Sequence, residues 1–249
     1  MTMTAVLEVR DLTIGHGGVP LLSGIGFDVA RGEVVAVLGG SGCGKSTLLR
    51  TLIGLQEPLA GSVHFPGIGG PEQAMSPPQF GVLFQSAALF GSWTLLQNVM
   101  LPLQKWTRLP KDAARAVAMA RLRLVGLEAA ADKLPSEVSG GMRKRAGIAR
   151  ALALDPPILF LDEPSAGLDP VTAAGLDQLI LTLARGLSVT IVLVTHELPS
   201  ILAVADRCVM LDRQAGGVIA LGAPRDLATH SDDARVRAFF RREAASRTT

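Results

Sequence analysis

Three short apolar runs punctuate the chain: Val34 to Leu38, Ile158 to Leu161 and Val189 to Val194. Each is too short for a helix and too uniformly apolar for a half-exposed strand, which predicts strands buried on both faces. Between and around them the apolar spacing is helical. Lys45 to Ile53 is stopped by Gly54; Pro110 to Leu127 is Ala-rich; Ser139 to Ala153 opens on glycines; Val171 to Leu183 follows the second apolar run. Strands that alternate with helices predict a parallel sheet covered on both faces, an α/β fold. Nearer the start, Val6 to Val9 and Leu22 to Val29 read as further strands, the latter ending at Arg31-Gly32. Residues 66–78 hold Pro66, Gly67, Gly69, Gly70, Pro71, Pro77 and Pro78, which predicts loop.

Length changes this picture little: 249 residues suffice for one large α/β domain with a substantial core. Lys and Arg number 24 against 22 Asp and Glu, so a net charge of +2 gives no support to a nucleic-acid surface, and no nucleic-acid partner is expected. The two cysteines, Cys43 and Cys208, suggest no disulfide framework and fit a reducing cytoplasm. Mean hydropathy is high at +0.36, yet no run of about 18 apolar residues predicts a membrane span. Met1 to Val9 lacks the layout of a signal peptide. A chain this apolar fits one that buries surface against partners.

The chemistry sits at the ends of the buried strands. Gly39-Gly40-Ser41-Gly42-Cys43-Gly44-Lys45-Ser46-Thr47 follows the first and opens a helix, fitting the phosphate-loop pattern G-x-x-x-x-G-K-[ST]. Glycines let successive N–H groups turn inward around phosphate oxygens, and the helix start adds its positive end. Lys45 brings a point charge for the β- and γ-phosphates, Ser46 a hydroxyl for Mg²⁺, and Thr47 a bond to the α-phosphate. Cys43 reads as a small loop residue. The second apolar run ends in Asp162-Glu163. Beside a phosphate loop, Asp162 is expected to hold Mg²⁺ and Glu163 to polarise the attacking water.

Val138-Ser139-Gly140-Gly141-Met142 precedes a helix, where a serine hydroxyl and glycine N–H groups form an anion site. This segment resembles the LSGGQ signature of ABC ATPases, with Val138 and Met142 as departures. Further landmarks of that family follow in order. Gln85 matches the Q-loop glutamine, Ser165-Ala166-Gly167-Leu168-Asp169 the D-loop, and His196 the switch histidine that donates to the γ-phosphate. The resemblance covers essentially the whole chain. It implies a P-loop ABC ATPase fold over residues 1–249: a RecA-like core, an N-terminal antiparallel β subdomain and an α-helical subdomain at about 86–155, followed by a tail from about 225. It implies ATP and Mg²⁺, with Ser46, Gln85 and Asp162 at the metal. It also implies two copies head to tail, where Ser139, Gly140, Gly141 and Asp169 of one chain meet the ATP of the other.

The family stacks adenine on an aromatic residue after the first strand, but this chain has no Tyr, and the matching stretch Leu12 to Gly17 offers His16 for the task. The stretch from Gly81 to Leu103, the Met142 signature and the segment Asp233 to Phe240 resemble the ATPases of Mla/Mce-type lipid transporters. The segment before Gln85 looks short for that class and lacks the basic stretch often found there, so an amino-acid or ion importer is the main rival, with a soluble non-transport ABC protein behind it. The resemblance implies membrane permease subunits and an Mce-type substrate-binding protein as partners, and a place on the cytoplasmic face of the membrane. Leu89, Phe90, Trp93 and Leu95 would be shared between permease contact and core. In the tail, Val236, Phe239 and Phe240 fall on one helical face among Arg235, Arg237, Arg241 and Arg242. That face packs either on its own domain or on the neighbouring subunit.

Overall fold

The computed structural model describes residues 4–241. In chain order the elements are β1 (Ala5–His16), β2 (Val19–Ala30), β3 (Val34–Leu38), α1 (Lys45–Leu52), β4 (Ala60–His64), α2 (Pro71–Ala74), β5 (Phe80–Leu83), α3 (Leu95–Trp106), α4 (Lys111–Leu124), α5 (Gly140–Ala151), β6 (Ile158–Asp162), α6 (Pro170–Leu181), β7 (Thr190–Val194), α7 (Leu198–Val204), β8 (Arg207–Asp212), β9 (Gly217–Gly222), α8 (Pro224–His230) and α9 (Ala234–Arg241). They form two sheets. β2-β1-β4 is antiparallel, and a six-stranded sheet runs β5-β6-β7-β3-β8-β9. In the larger sheet β5, β6, β7, β3 and β8 are parallel, and only the edge strand β9 is antiparallel.

All five residues of β3 and of β7 are buried, as expected of strands inside a parallel sheet with both faces covered. One face packs on α1 and the small sheet through Leu7, Ile25, Leu48 and Phe160. The other packs on α3, α4, α5 and α6 through Val99, Ala118, Ile148 and Leu176. Gly81 permits one close approach: a Cβ there would stand 2.3 Å from the Ala151 carbonyl oxygen, so α5 lies against β5 only because the side chain is missing.

The structure corrects one local expectation. Residues 66–78 are not all loop, because Pro71 starts a single helical turn, α2, as proline does at a first helical position. His16 closes β1, opposite Val19, across the turn Gly17-Gly18. The tail face packs on its own domain. Val236 and Phe240 of α9 are buried against Ala36, Leu38, Ile201, Cys208 and Met210, with Phe239 half-buried beside them. Arg242 lies outside the described residues.

Candidate functional site

Val37, Val194 and Asp162 stand in register across β3, β7 and β6. Because these strands are parallel, everything that follows each one emerges at the same edge of the sheet, where α/β proteins place their ligands. The phosphate loop follows β3, Glu163 follows Asp162 at the end of β6, and Thr195-His196 follows β7. Three segments far apart in sequence are thereby made neighbours.

The loop from Gly39 to Gly44 is shaped by the backbone. Gly39 has φ 148°, and a Cβ there would meet Cys43 Sγ and the Leu211 carbonyl oxygen, each at 2.5 Å. Gly44, at φ 111°, caps α1 in the left-handed region. Lys45 is buried, and its Nζ donates to the carbonyls of Gly39 at 2.8 Å and Gly40 at 3.0 Å, so its charge is held on the loop. Ser41, Gly42 and Ser46 are exposed, whereas Cys43 is buried and burial pushes its thiol pKa up, which makes it a packing residue. Thr47 is buried and its Oγ1 lies 3.2 Å from Nε2 of His16, which sets the exposed histidine beside the loop helix.

Asp162 and Glu163 form the acidic side. Burial, then the neighbouring Glu163, raises the Asp162 pKa; Lys144, Arg50 and Lys45 oppose the rise. Oδ1 of Asp162 and Oε2 of Glu163 are buried and have no hydrogen-bond partner among the described residues. Two orphaned carboxylate oxygens suit a hard cation. No group of three or more His, Cys, Asp or Glu among the described residues could hold a metal. The fit is therefore to a cation such as Mg²⁺, which takes one or two carboxylates and completes its shell with phosphate oxygens and water.

Glu163 has a left-handed φ of 46°, an unusual and strained state for a residue with a Cβ. Its N–H donates to the Val194 carbonyl at 2.8 Å, its carbonyl accepts from Lys144 Nζ at 2.9 Å, and Oε1 lies 2.7 Å from His196 Nδ1. Gln85 is exposed after β5, and its carbonyl accepts from the same Lys144 at 2.5 Å. The sequence reading missed Lys144.

Ser139 caps α5: its exposed Oγ accepts from the Met142 N–H at 3.3 Å. Gly141 faces Thr172 so closely that a Cβ would come within 2.4 Å of it. Asp169 caps α6, accepting from Val171 and Thr172, and the bonds from Thr172 hold its carboxyl below the usual range. Within one chain Ser139, Gly140, Gly141 and Asp169 thus serve helix starts.

The family model described as ABC transporter matches residues 22–166. This chain belongs to the ABC transporter ATPase family. It is 41% identical over 245 residues to the "Probable ribonucleotide transport ATP-binding protein mkl" of Mycobacterium leprae, covering 96% of this chain and 70% of that one. It is 38% identical over 241 residues to the intermembrane phospholipid transport system ATP-binding protein MlaF of Escherichia coli K12, covering 94% and 88%. The ATP-binding cassette MJ0796, solved as a post-hydrolysis dimer bound to ADP and Pi, superposes with a TM-score of 0.77 at 30% identity, over 87% of this chain and 98% of that one. The ABC ATPase fold expected from the sequence is the fold observed, and the chain is an ATPase subunit of a transport system. Among the described residues no helix is long and apolar enough to cross a membrane.

Proposed function

We propose that this subunit powers an Mla-type transporter of phospholipids or similar hydrophobic compounds. The observation that carries the reading is the identity with MlaF along 94% of the chain. The match to mkl, whose name gives ribonucleotide transport, favours a second cargo class. Reconstitution with the cognate permease separates the two. Phospholipid co-purifying with the complex and moving between vesicles on ATP addition supports the lipid reading; ATP-driven uptake of ribonucleotides, with no lipid movement, overturns it.

The residues carry the chemistry as follows. The loop N–H groups of Gly39 to Thr47, with Lys45, hold the phosphates of ATP. Ser46, Asp162 and Gln85 would hold Mg²⁺, which neutralises charge on the phosphate oxygens when bound. Glu163 accepts a proton from the attacking water, and His196 orients that carboxylate. His16 packs against the base. Ser139, Gly140, Gly141 and Asp169 serve the nucleotide of a second copy in a head-to-tail dimer, a reading supported by the dimeric form in which the related cassette was solved.

We read residues 1–249 as one ATPase domain with its helical subdomain at about 86–155, supported by the mutual packing of α3, α4 and α5. A pocket of about 230 Å³ lies away from the phosphate loop, at the open edge of β5, lined by Pro78, Val82, Pro102, Trp106 and Arg150. Next to the Q-loop, Phe90 is half-exposed and its ring stands 4.9 Å from that of Trp93, on a turn whose carbonyls are gathered by the buried Asn98. Leu95 is core. This surface is the contact for the permease, which would hold the subunit at the cytoplasmic face of the membrane. An Mce-type binding protein completes the proposed assembly.

A further inference from the structure

Lys45 and Lys144 are the buried lysines among the described residues. A phosphate loop explains the first. Nothing in the ATPase roles given above explains the second. A lysine on a helix normally keeps its ammonium in water, because burying the charge is costly unless it is fully bonded. Here burial lowers the Lys144 pKa, while Asp162 and Glu163 oppose that shift by favouring the charge.

The ammonium reaches two carbonyls that belong to different functional segments: Gln85 at 2.5 Å and Glu163 at 2.9 Å. The Glu163 peptide is the strained one, at φ 46°, and it is pinned from both sides, by Val194 through its N–H and by Lys144 through its carbonyl. A backbone held in a sparsely populated region persists only where its surroundings over-determine it. The same helix grips the Q-loop a second time. Arg150 donates to the carbonyls of Ala87 and Ala88, which also have positive φ. One helix, α5, which Ser139 caps, is thus bonded both to the Q-loop and to the turn that aims Glu163.

We propose that Lys144 is a positioning residue for ATP hydrolysis, which clamps the Q-loop to the Glu163 turn and makes the aim of that carboxylate follow the position of the Q-loop and α5. The proposal rests on Glu163 being the residue that activates water. Lys144 touches no reacting atom. Its contribution passes through the Glu163 backbone.

The test is steady-state hydrolysis by the purified full chain, followed as phosphate release, with nucleotide affinity from a fluorescent ATP analogue and melting temperature alongside. Lys144→Met is expected to lower kcat by roughly tenfold, within the usual span for one coupling contact, with KM and affinity changed less than about twofold. Lys144→Arg, which keeps charge and donors, restores most of the rate. In a Glu163→Gln background, Lys144→Met changes the residual rate less than about twofold, because residues that act as a unit are not additive. If Lys144→Met does not fold, Lys144→Gln supplies the same readouts with a polar side chain of similar reach. A variant at parental rate overturns the proposal when Glu163→Gln is inactive. Loss of affinity or melting temperature in step with rate, with no recovery by arginine, makes Lys144 a packing residue and also overturns it. A Glu163→Gln chain that hydrolyses at parental rate overturns the role of Glu163 itself, whatever Lys144 does.

Discussion

Nδ1 of His196 lies 2.7 Å from Oε1 of Glu163, so the second residue after β7 and the carboxylate after β6 form one hydrogen-bonded unit across two adjacent strands. An ionised carboxylate only accepts, which places the proton on Nδ1. Nε2 is left to face outward, 3.7 Å from Glu197. His196 is exposed and Glu163 is not, so the bond holds a sheltered carboxylate from its solvent side. Glu163→Gln is expected to keep ATP binding and lower turnover by about two orders of magnitude or more, the cost of one positioned catalytic group. The dimer then stays locked with ATP, visible by size-exclusion chromatography. His196→Ala lowers kcat by a smaller factor, and the two changes together cost less than their product. Independent, multiplicative losses would show that the pair does not act as a unit.

The phosphate loop has no room for a methyl group at its first glycine. Gly39→Ala places a Cβ at 2.5 Å from backbone oxygen of Leu211 in a region of φ closed to alanine. Loss of nucleotide binding is expected, with destabilisation of about 1–3 kcal/mol from backbone strain. Titration with a fluorescent nucleotide and thermal melting measure both. Unchanged affinity would mean the loop does not need this backbone.

Ser139 is expected to act on the nucleotide of the second copy. A mixed dimer of a Lys45→Ala chain and a Ser139→Arg chain gathers both lesions into one composite site and leaves the other intact. Nucleotide trapping at half the parental stoichiometry is the expected result. Equal loss from both sites would require each chain to complete its own site.

Asp177 gives the molecule a pH dependence unrelated to catalysis. Its carboxyl is buried on α6, accepts from Ser200 at 3.0 Å, and has its pKa raised by burial, with the Ser200 bond a smaller opposing effect. A carboxyl whose folded pKa exceeds its unfolded value binds more protons when folded. Its contribution to stability is greatest below the unfolded value near 3.8 and falls as pH rises through the raised folded value. Melting of the parent relative to Asp177→Asn should therefore worsen as pH rises above the unfolded value near 3.8 and level off once the raised folded value has been passed. A difference that is flat with pH, or of the opposite slope, contradicts the burial argument.

The tail is expected to be a cis-packed element. Phe240→Ala removes a buried ring and should destabilise the chain by about 2–4 kcal/mol, somewhat under the usual core range because it lies in a peripheral helix. Dimerisation measured by sedimentation should not change. Weaker dimers with an unaltered monomer melting temperature would mean that the face belongs to the neighbouring subunit.

Much of this molecule was legible in its sequence where local chemistry is self-sufficient. The buried strands β3, β6 and β7 are short apolar runs with no other reading, and the phosphate loop, the Asp162-Glu163 pair and the α5 start each carry their meaning within a few residues. The alternation of β1 was hidden by Asp11, whose positive φ and the register shift between Val9 and Leu12 break the two-residue period. α3 was hidden by Pro102 inside it and by Asn98, a polar residue that is buried because it bonds a turn. β9 begins and ends on glycine, and none of its residues is fully buried, so it has little apolar signal. Lys144 was out of reach altogether. It stands in Arg143-Lys144-Arg145, which reads as a solvated face, and its partners lie 59 and 19 residues away. Its role exists only once α5 has been laid against the sheet.

The burial of α9 has a consequence for how the protein is made. Ala36 and Leu38, on the strand that carries the phosphate loop, are covered on one side by Val236 and Phe240, and the strand itself is flanked by β7 and β8. A ribosome synthesises β3 early, but the segments that seat it emerge some 150 to 200 residues later. The nascent chain therefore carries its most apolar strand without its β7 and β8 neighbours through most of translation, and α9 can seat on that strand only after both have been made. The strand that carries the phosphate loop is thus seated by long-range contacts alone, so its burial is a late event in the folding of this chain.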